Sequence, residues 1–352
     1  MEIKSHFKTY HLDFVDNLSE LAGLAKRPET YFVFDKNVYE LYKEALPEVS
    51  QERFFLLEAD EQRKTVETAL SICEQVTTMP SKRNTHIVSI GGGITQDVTG
   101  FVATNLYRGI YWTFYPSTLL AACDSCIGGK SSLNYKGFKN LLGTFYPPDD
   151  IHIYPQFFRT LTARDYASGL GEVVKFNVIA GKADFARLEQ DIEAILAHDY
   201  DKLTAYVQTS LNFKKRFIEE DEFDRGIRVL LNFAHTFGHA YEVVSHYAIP
   251  HGSAVAMGMV TANHISRQRG WLDEALADRI ENVCRMILRH IEPKAEWFQL
   301  DALLTAIHKD KKQTSESITA VLIQEDGSLQ VVRDIQAGEI SKAVTHMLVA
   351  IN

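Results

Sequence analysis

Two histidines four residues apart, His235 and His239 in the run NFAHTFGHAYE, share one face of any helix that spans them. A third, His251, follows Pro250 sixteen positions after His235 and stands where a further helix would begin. Imidazoles on adjacent elements can converge on a transition metal, and a carboxylate usually completes an open site of that kind. Glu172 in GLGEVVKF is the natural carboxylate, and Lys175, one turn further on, shares its helix face and could donate to a substrate. A bare histidine pair at this spacing also arises by chance, so the rest of the chain has to decide.

A second set of residues is cationic. Arg108, Lys130 and Lys139 lie in YRG, DSCIGGKSSLN and FKN, each beside a glycine or an amide-bearing residue such as Asn134 or Asn140. Cations among glycine-rich loops can hold a phosphate by charge together with backbone N–H groups. Lys214 and Arg228 flank the acidic stretch EEDEFDRGIR, where a solvated helix charge is the plainer reading. The run HIVSI leads into Gly91, Gly92 and Gly93, and an apolar helical pattern follows over 97–107. A strand, a glycine turn and a helix start bring bare N–H groups and a positive dipole end to one point, which suits a pyrophosphate. The triple glycine is not GxGxxG, and a tight strand-to-helix turn accounts for it equally well. Cys123 and Cys126 form a CxxC without a second pair, so they read, with Cys73 and Cys284, as reduced thiols that pack.

The elements that must position these groups change along the chain. Apolar runs at 31–35, 53–58 and 86–90 alternate with a helical pattern over 62–78, which predicts a parallel sheet with crossover helices. KGFKNLLGTFYPPDD reads as a turn-rich segment, and Pro147 and Pro148 mark a break. Helical periodicity then dominates over 164–180, 183–197, 200–219, 229–246, 252–269 and 273–290. ITAVLIQEDGSLQVVRD reads as a β-hairpin turning at Asp326 and Gly327. The expected architecture is an α/β Rossmann-like domain over 1–154 and a mainly α-helical domain over 155–352.

With 352 residues, two domains can each bury a core. A hydrophobic fraction of 45% and a charged fraction of 24% fit a globular chain and exclude disorder or a fibrous repeat. The balance of 46 acidic against 37 basic side chains, a net charge of −9, disfavours a nucleic-acid or anionic-membrane partner. No apolar run is long enough to cross a membrane, and the start MEIKSHFKTYHLDF lacks a signal-peptide core, so a cytoplasmic protein is expected.

GGGITQDVTGF, LYRG, YPSTLLAACDSCIGGKSSLN, FKNLLGTFYPP, GLGEVVKF, LLNFAHTFGHAYE and HGSAVAMGMV, in this order, resemble 3-dehydroquinate synthase and its sugar-phosphate cyclase relatives over about residues 30 to 330. The resemblance implies an NAD-using, phosphate-eliminating lyase with Zn2+ or Co2+ as a further cofactor, and a homodimer. It places the metal ligands on Glu172, His235 and His251 and leaves His239 beside them, outside the ligand set. Substrate contacts carry over to Asp124, Lys130, Asn140, Lys175, Lys214, Arg228 and Asn232, with Arg108 reaching phosphate from a neighbouring subunit. NAD contacts carry over to Asp35, Glu61, Lys64, Gly92, Gly93, Asp97, Ser117, Thr118 and Lys139. HKDKK resembles the family's DKK, so Lys311 or Lys312 is expected to close over the substrate.

The chain departs from the pattern at several points. Gln96 and Phe138 stand where glycines are usual, Ser253 stands for a glutamate after His-Gly, and the acidic DExE ends in Asp224. Arg228 precedes Asn232 by four residues and His235 by seven, so on one continuous helix all three would face the metal. A guanidinium there suits a planar carboxylate, which favours 3-deoxy-arabino-heptulosonate 7-phosphate as substrate. Asp224 weighs the other way, toward a sibling cyclase using sedoheptulose 7-phosphate, an amino sugar or glucose 6-phosphate. A metal-dependent polyol dehydrogenase shares the two-domain plan, but it would need no phosphate cluster.

Overall fold

A computed structural model describes residues 1–309 and 318–351; Lys311 and Lys312 lie outside the described residues. The chain forms two compact units, Met1–Thr160 with Ile218–Phe223, and Leu161–Phe217 with Asp224–Asn352. The boundary falls a few residues beyond the expected 154/155, and a short segment at 218–223 joins the first unit.

The first unit contains β1 (Glu2–Lys4), β2 (Thr9–Phe14), α1 (Ser19–Ala25), β3 (Thr30–Asp35), α2 (Lys36–Tyr42) and β4 (Phe54–Leu57). It continues through α3 (Val66–Thr77), β5 (His86–Gly91), α4 (Gly93–Asn105), β6 (Tyr111–Pro116), β7 (Lys130–Tyr135), β8 (Phe138–Phe145) and β9 (Asp150–Ile153). Seven strands form one sheet in the order β1-β2-β9-β6-β5-β3-β4, parallel except for the β1–β2 pair. Every residue of β5 is buried, as helices on both faces of a parallel sheet require. From β3 the chain steps outward to β4, returns past β3 to β5, then proceeds through β6 to β9. The topological switch therefore lies between β3 and β5, and ligands of such sheets bind at the carboxyl ends of the strands there. The register pairs Phe34 with Ile90, which sets Asp35 beside Gly91 at that edge.

Two features were not legible in the pattern. The turn-rich segment expected after Lys136 is a strand, since β7 and β8 form an antiparallel hairpin of their own. Helix α4 begins at Gly93, four residues before the expected start at Asp97, so its first turn follows the glycine turn directly.

The second unit contains α5 (Ala163–Ala180), α6 (Lys182–Leu196), α7 (Tyr200–Glu220), α8 (His235–Val244), α9 (His251–Gln268), α10 (Glu274–Ile287) and α11 (Leu300–Lys309). The hairpin β10 (Ile318–Ile323) and β11 (Leu329–Ile335) and helix α12 (Ala337–Ile351) complete it. The hairpin turns where expected, with Gly327 at φ 84° and its N–H on the Gln324 carbonyl at 3.0 Å. Helix α5 is buried from Tyr166 to Ile179. Among the described residues no helix is long and apolar enough to cross a membrane.

The continuous helix expected over 229–246 is corrected by the structure. Ile227–Asn232 is a 3-10 turn, Ala234 takes a left-handed φ of 69°, and α8 starts only at His235. No glycine or proline marks the break. Its consequence is local: the Phe233 carbonyl, which an unbroken helix would pair with the N–H of residue 237, instead lies 3.0 Å from His235 Nδ1. Arg228 and Asn232 therefore do not share a helix face with His235, and the register argument for a carboxylate beside the metal fails.

Candidate active site

Glycines set the helix spacing in the second unit. A Cβ on Gly171 would lie 1.9 Å from the Gly252 carbonyl oxygen, and one on Gly252 would lie 1.7 Å from that of Ser168. Helices α5 and α9 thus touch through bare backbone, and the next residue of α5, Glu172, meets the first residue of α9, His251. A Cβ on Gly258 would come within 2.3 Å of the Ala234 oxygen, which holds α8 equally close to α9. His235 arrives on that helix.

The resulting corner is dense in donors. His235 Nε2 and His251 Nε2 stand 3.2 and 3.4 Å from the same oxygen, Oε1 of Glu172, whose side chain is fully buried. Lys175 Nζ lies 2.6 Å from the other oxygen, Oε2, and donates to the Leu231 carbonyl at 3.2 Å. Ligand atoms of His235, His239 and His251 fall within 4.8 Å of one another. Burial raises the Glu172 carboxyl, but Lys175 and the two histidines outweigh it and hold the group well below the usual carboxylate range. Burial, with the Lys175 charge, pushes His235 down to about 3, so this imidazole is neutral. Burial also opposes the charge on His251, yet Glu172 and Glu242 raise it to about 10.

These groups fit a divalent transition metal. Lys175 pairs with Oε2 of Glu172, while Oε1 faces the two imidazoles without a well-aligned hydrogen bond and can serve as a ligand. Two atoms bound at ~2.0–2.1 Å to a tetrahedral zinc stand about 3.4 Å apart, close to the spacing found here. The tautomers agree as well. His235 Nδ1 is engaged by the Phe233 carbonyl and His251 Nδ1 by Glu242 Oε2 at 3.1 Å, which leaves both Nε2 atoms facing Glu172.

In the first unit, the turn after β5 is equally cramped. A Cβ on Gly91 would lie 2.4 Å from Thr95 Oγ1, and one on Gly92 would lie 2.9 Å from Thr118 Cγ2, whereas Gly93 has nothing nearer than Ser125 Oγ at 3.9 Å. The N-terminus of α4 has no side-chain cap, so its first N–H groups are not satisfied by an N-cap side chain. Beside it, Ser117 donates its N–H to the Gly91 carbonyl at 2.8 Å, while its buried Oγ has no partner. Uncapped N–H groups, an orphaned hydroxyl and a turn without Cβ atoms suit a dinucleotide's pyrophosphate.

A polar network adjoins this turn. Lys64 Nζ reaches Asp97 Oδ2 at 2.5 Å and donates to Asn140 Oδ1 at 2.7 Å; Ser132 donates to Asp97 through its N–H at 3.0 Å and to Asn140 through its hydroxyl at 2.9 Å. Burial raises the Asp97 carboxyl against the pull of Lys64. Asn134 links Asn140 to Glu61, accepting from the Asn140 N–H at 2.9 Å and donating to Glu61 Oε1 at 2.8 Å. Lys139 lies 3.7 Å from the same Glu61 oxygen.

The family patterns for the 3-dehydroquinate synthase N-terminal and C-terminal regions match residues 54–168 and 169–313. The chain belongs to the 3-dehydroquinate synthase family. It is 35% identical to the 3-dehydroquinate synthase of Clostridium tetani over 350 residues, 98% of this chain and 93% of that one. In fold it is similar to 2-epi-5-epi-valiolone synthase from Streptomyces hygroscopicus subsp. jinggangensis, solved with NAD+ and Zn2+, at TM-score 0.84, 23% identity and 98% coverage of each chain. It is also similar to 2-deoxy-scyllo-inosose synthase solved with carbaglucose-6-phosphate, NAD+ and Co2+, at TM-score 0.82, 23% identity and 98% coverage of each chain.

Within this family member, Glu61, Lys64, Asp97, Lys139 and Asn140 come together in one network, and Gly92, Gly93, Ser117 and Thr118 form the adjoining turn. Asp35 caps α2, accepting from the N–H of Asn37 at 2.8 Å, and burial raises its carboxyl. Asp124 belongs to a π-turn, Ala121–Ser125, and Lys130 opens β7 with its ammonium over the Phe145 ring. Lys214 is buried on α7, Arg228 is buried on the 3-10 turn, Asn232 bonds the Val229 carbonyl, and Asp224 takes a φ of 59°. Arg108 is not brought to the glycine turn. It follows α4 at φ 67°, exposed near the start of β6, at the amino ends of the strands and away from Gly91 at the carboxyl end of β5.

Two residues of these clusters, Glu242 and Ser132, carry no expectation from the sequence, and Asn134 is named there only as an amide beside the cationic loops. Glu242 orients His251, and its spacing was informative, since residues 235, 239 and 242 fall on one helix face. Ser132 and Asn134 tie the network together, but nothing in their local sequence distinguishes them from turn residues.

Proposed function

We propose that this enzyme is a sugar-phosphate cyclase of the 3-dehydroquinate synthase type, which converts 3-deoxy-arabino-heptulosonate 7-phosphate to a carbocycle and releases inorganic phosphate. The observation that carries this reading is the pair of Nε2 atoms converging on one oxygen of the buried Glu172 carboxylate. The identity of 35% to a named 3-dehydroquinate synthase over nearly the whole chain supports the choice of substrate.

Glu172, His235 and His251 would hold Zn2+ or Co2+, while Gly92, Gly93, Ser117 and Thr118, with Asp97 and its partners, would hold NAD. When bound, the metal polarises a secondary alcohol of the sugar and NAD removes and later returns a hydride at that carbon, so the cofactor is not consumed. With the transient ketone in place the adjacent C–H becomes acidic, and phosphate leaves by β-elimination. Lys130 and Asn140 stabilise the charge that develops on the departing phosphate, joined by Arg108 from a neighbouring subunit. Lys175, held by Glu172 and the Leu231 carbonyl, presents a buried ammonium to the substrate. His239 lies beside the metal ligands as a proton-transfer group. After reduction and ring opening, intramolecular aldol addition closes the carbocycle.

A sibling cyclase with an uncharged-headed substrate is the second reading, and Asp224 favours it. The deciding experiment is phosphate release from 3-deoxy-arabino-heptulosonate 7-phosphate and sedoheptulose 7-phosphate side by side, with catalytic NAD. Faster turnover of the first is expected. Faster turnover of the second overturns the substrate, and NADH accumulating in step with product would mark a dehydrogenase instead.

A further inference from the structure

Gln96 lies near the start of α4, where a glycine is usual by resemblance, and its side chain is only 2% exposed. Its amide meets Ser125 twice: Nε2 donates to the Ser125 carbonyl at 2.7 Å, and Oε1 accepts from the Ser125 hydroxyl at 2.7 Å. The backbone carbonyl can only accept, so the orientation of the amide is fixed by chemistry.

Ser125 ends the π-turn Ala121–Ser125, whose wide loop is closed by the Cys126 N–H on the Ala121 carbonyl at 3.0 Å. Carbonyls in the last turn of a helix lack intrahelical donors, and Gln96 supplies one to Ser125. Three residues later the Gly128 N–H donates to the Tyr10 hydroxyl at 3.0 Å, and Gly128 and Gly129 both take left-handed φ values of 98° and 64°. The stretch from Asp124 to Lys130 is thereby held by two buried side-chain anchors. The first of them grows from the helix whose N-terminus is the glycine turn, and Ser125 Oγ lies within 3.9 Å of where a Cβ on Gly93 would stand.

We propose that Gln96 is a positioning residue: by clamping Ser125 it fixes the π-turn, and with it the Asp124 carboxylate, relative to the glycine turn of α4. The inference rests on the function proposed above, in which the glycine turn contacts NAD, and on the family resemblance, which carries a sugar-phosphate contact over to Asp124. A glycine at position 96 has no side chain with which to make the clamp.

The test compares the holoenzyme with its Gln96→Gly and Gln96→Met variants. Methionine keeps the length and packing of glutamine but makes neither hydrogen bond. Amide hydrogen exchange over residues 121–128, read without substrate, should accelerate at least tenfold in both variants, with exchange in β5 and α9 unchanged. The KM for 3-deoxy-arabino-heptulosonate 7-phosphate should rise at least fivefold in both, while the KM for NAD and the zinc content stay at wild-type values. Unchanged exchange, or a Gln96→Met protein that behaves as wild type in exchange and KM, overturns the clamp. Faster exchange with an unchanged sugar-phosphate KM overturns the positioning of Asp124. A wild-type protein inactive on both sugar phosphates would overturn the proposed function and the substrate half of this inference, while the exchange result still decides the clamp.

Discussion

The metal corner of the helical unit and the glycine turn of the sheet unit assemble polar groups by different means. At the corner, backbone touches backbone: Gly171, Gly252 and Gly258 set the distances between α5, α8 and α9, and Glu172, His235 and His251 follow from them. At the turn, glycines open a cradle, but the charged groups beside it are held by one another. Lys64, Asp97, Ser132, Asn134 and Asn140 exchange hydrogen bonds across a hairpin whose outer strand, β8, is largely exposed. Spacing fixed by close-packed backbone has no slack, whereas a side-chain network can lose one member and re-pair with water. The corner should therefore fail all at once and the network by degrees.

The largest effect is expected from Gly252→Ala, whose new methyl would have to displace the Ser168 carbonyl. It should lower turnover by more than ~1,000-fold and destabilise the helical unit by several kcal/mol, on the order of 3 or more. The change Gly93→Ala, whose methyl would meet only Ser125 Oγ at 3.9 Å, should leave the zinc content and melting temperature near wild type. Zinc analysis and calorimetry of the two variants would break the comparison if they behaved alike.

Next in size is Glu242→Gln, which keeps a hydrogen-bonding partner near His251 Nδ1 but removes the negative charge. Zinc affinity, read by chelator competition, should fall about 10–100-fold with the fold intact. In the network, Lys64→Met leaves the Asp97 carboxylate without its cation. NAD affinity at pH 7 should weaken about tenfold, or ~1.4 kcal/mol, with zinc content unchanged in equilibrium binding.

The contrast also explains what the sequence could disclose. His235, His239 and His251 were visible because helical spacing and a helix start are one-dimensional signals. Their geometry was not, since the left-handed Ala234 carries no marker residue and the expected helix ran straight through it. The strands β3, β4 and β5 announced themselves as apolar runs, whereas the exposed β8 has no buried face to imprint an alternation. β1, with three residues, is too short to leave a pattern, and β2, with alternating exposed and buried positions broken by His11 and Asp13, forms no apolar run. Glu61, Lys64, Asp97, Lys139 and Asn140 were named through the family resemblance, but only the fold brings them together and adds Ser132 and Asn134 between them.

A pH-dependent effect lies away from both regions, at the amino end of β5. Burial, aided by the Arg27 charge, lowers His86 to about 4, and the neutral ring pairs with Thr113 Oγ1 at 2.9 Å. Its contribution to stability is complete above about pH 6.5 and is lost as pH falls through about 4, amounting to on the order of 3 kcal/mol. Denaturation at pH 7 and pH 4.5 should show a smaller pH-dependent loss in His86→Gln than in the wild type, with zinc affinity at pH 7 unchanged.

Zinc titration calorimetry in the absence of NAD and substrate tests most directly whether packed helices alone build the metal site. The wild type and His239→Ala should each bind one zinc per chain with similar affinity, whereas His251→Ala should lose at least ~100-fold. Wild-type affinity in His251→Ala, or an equally severe loss in His239→Ala, would contradict the assignment of Glu172, His235 and His251 as the ligands.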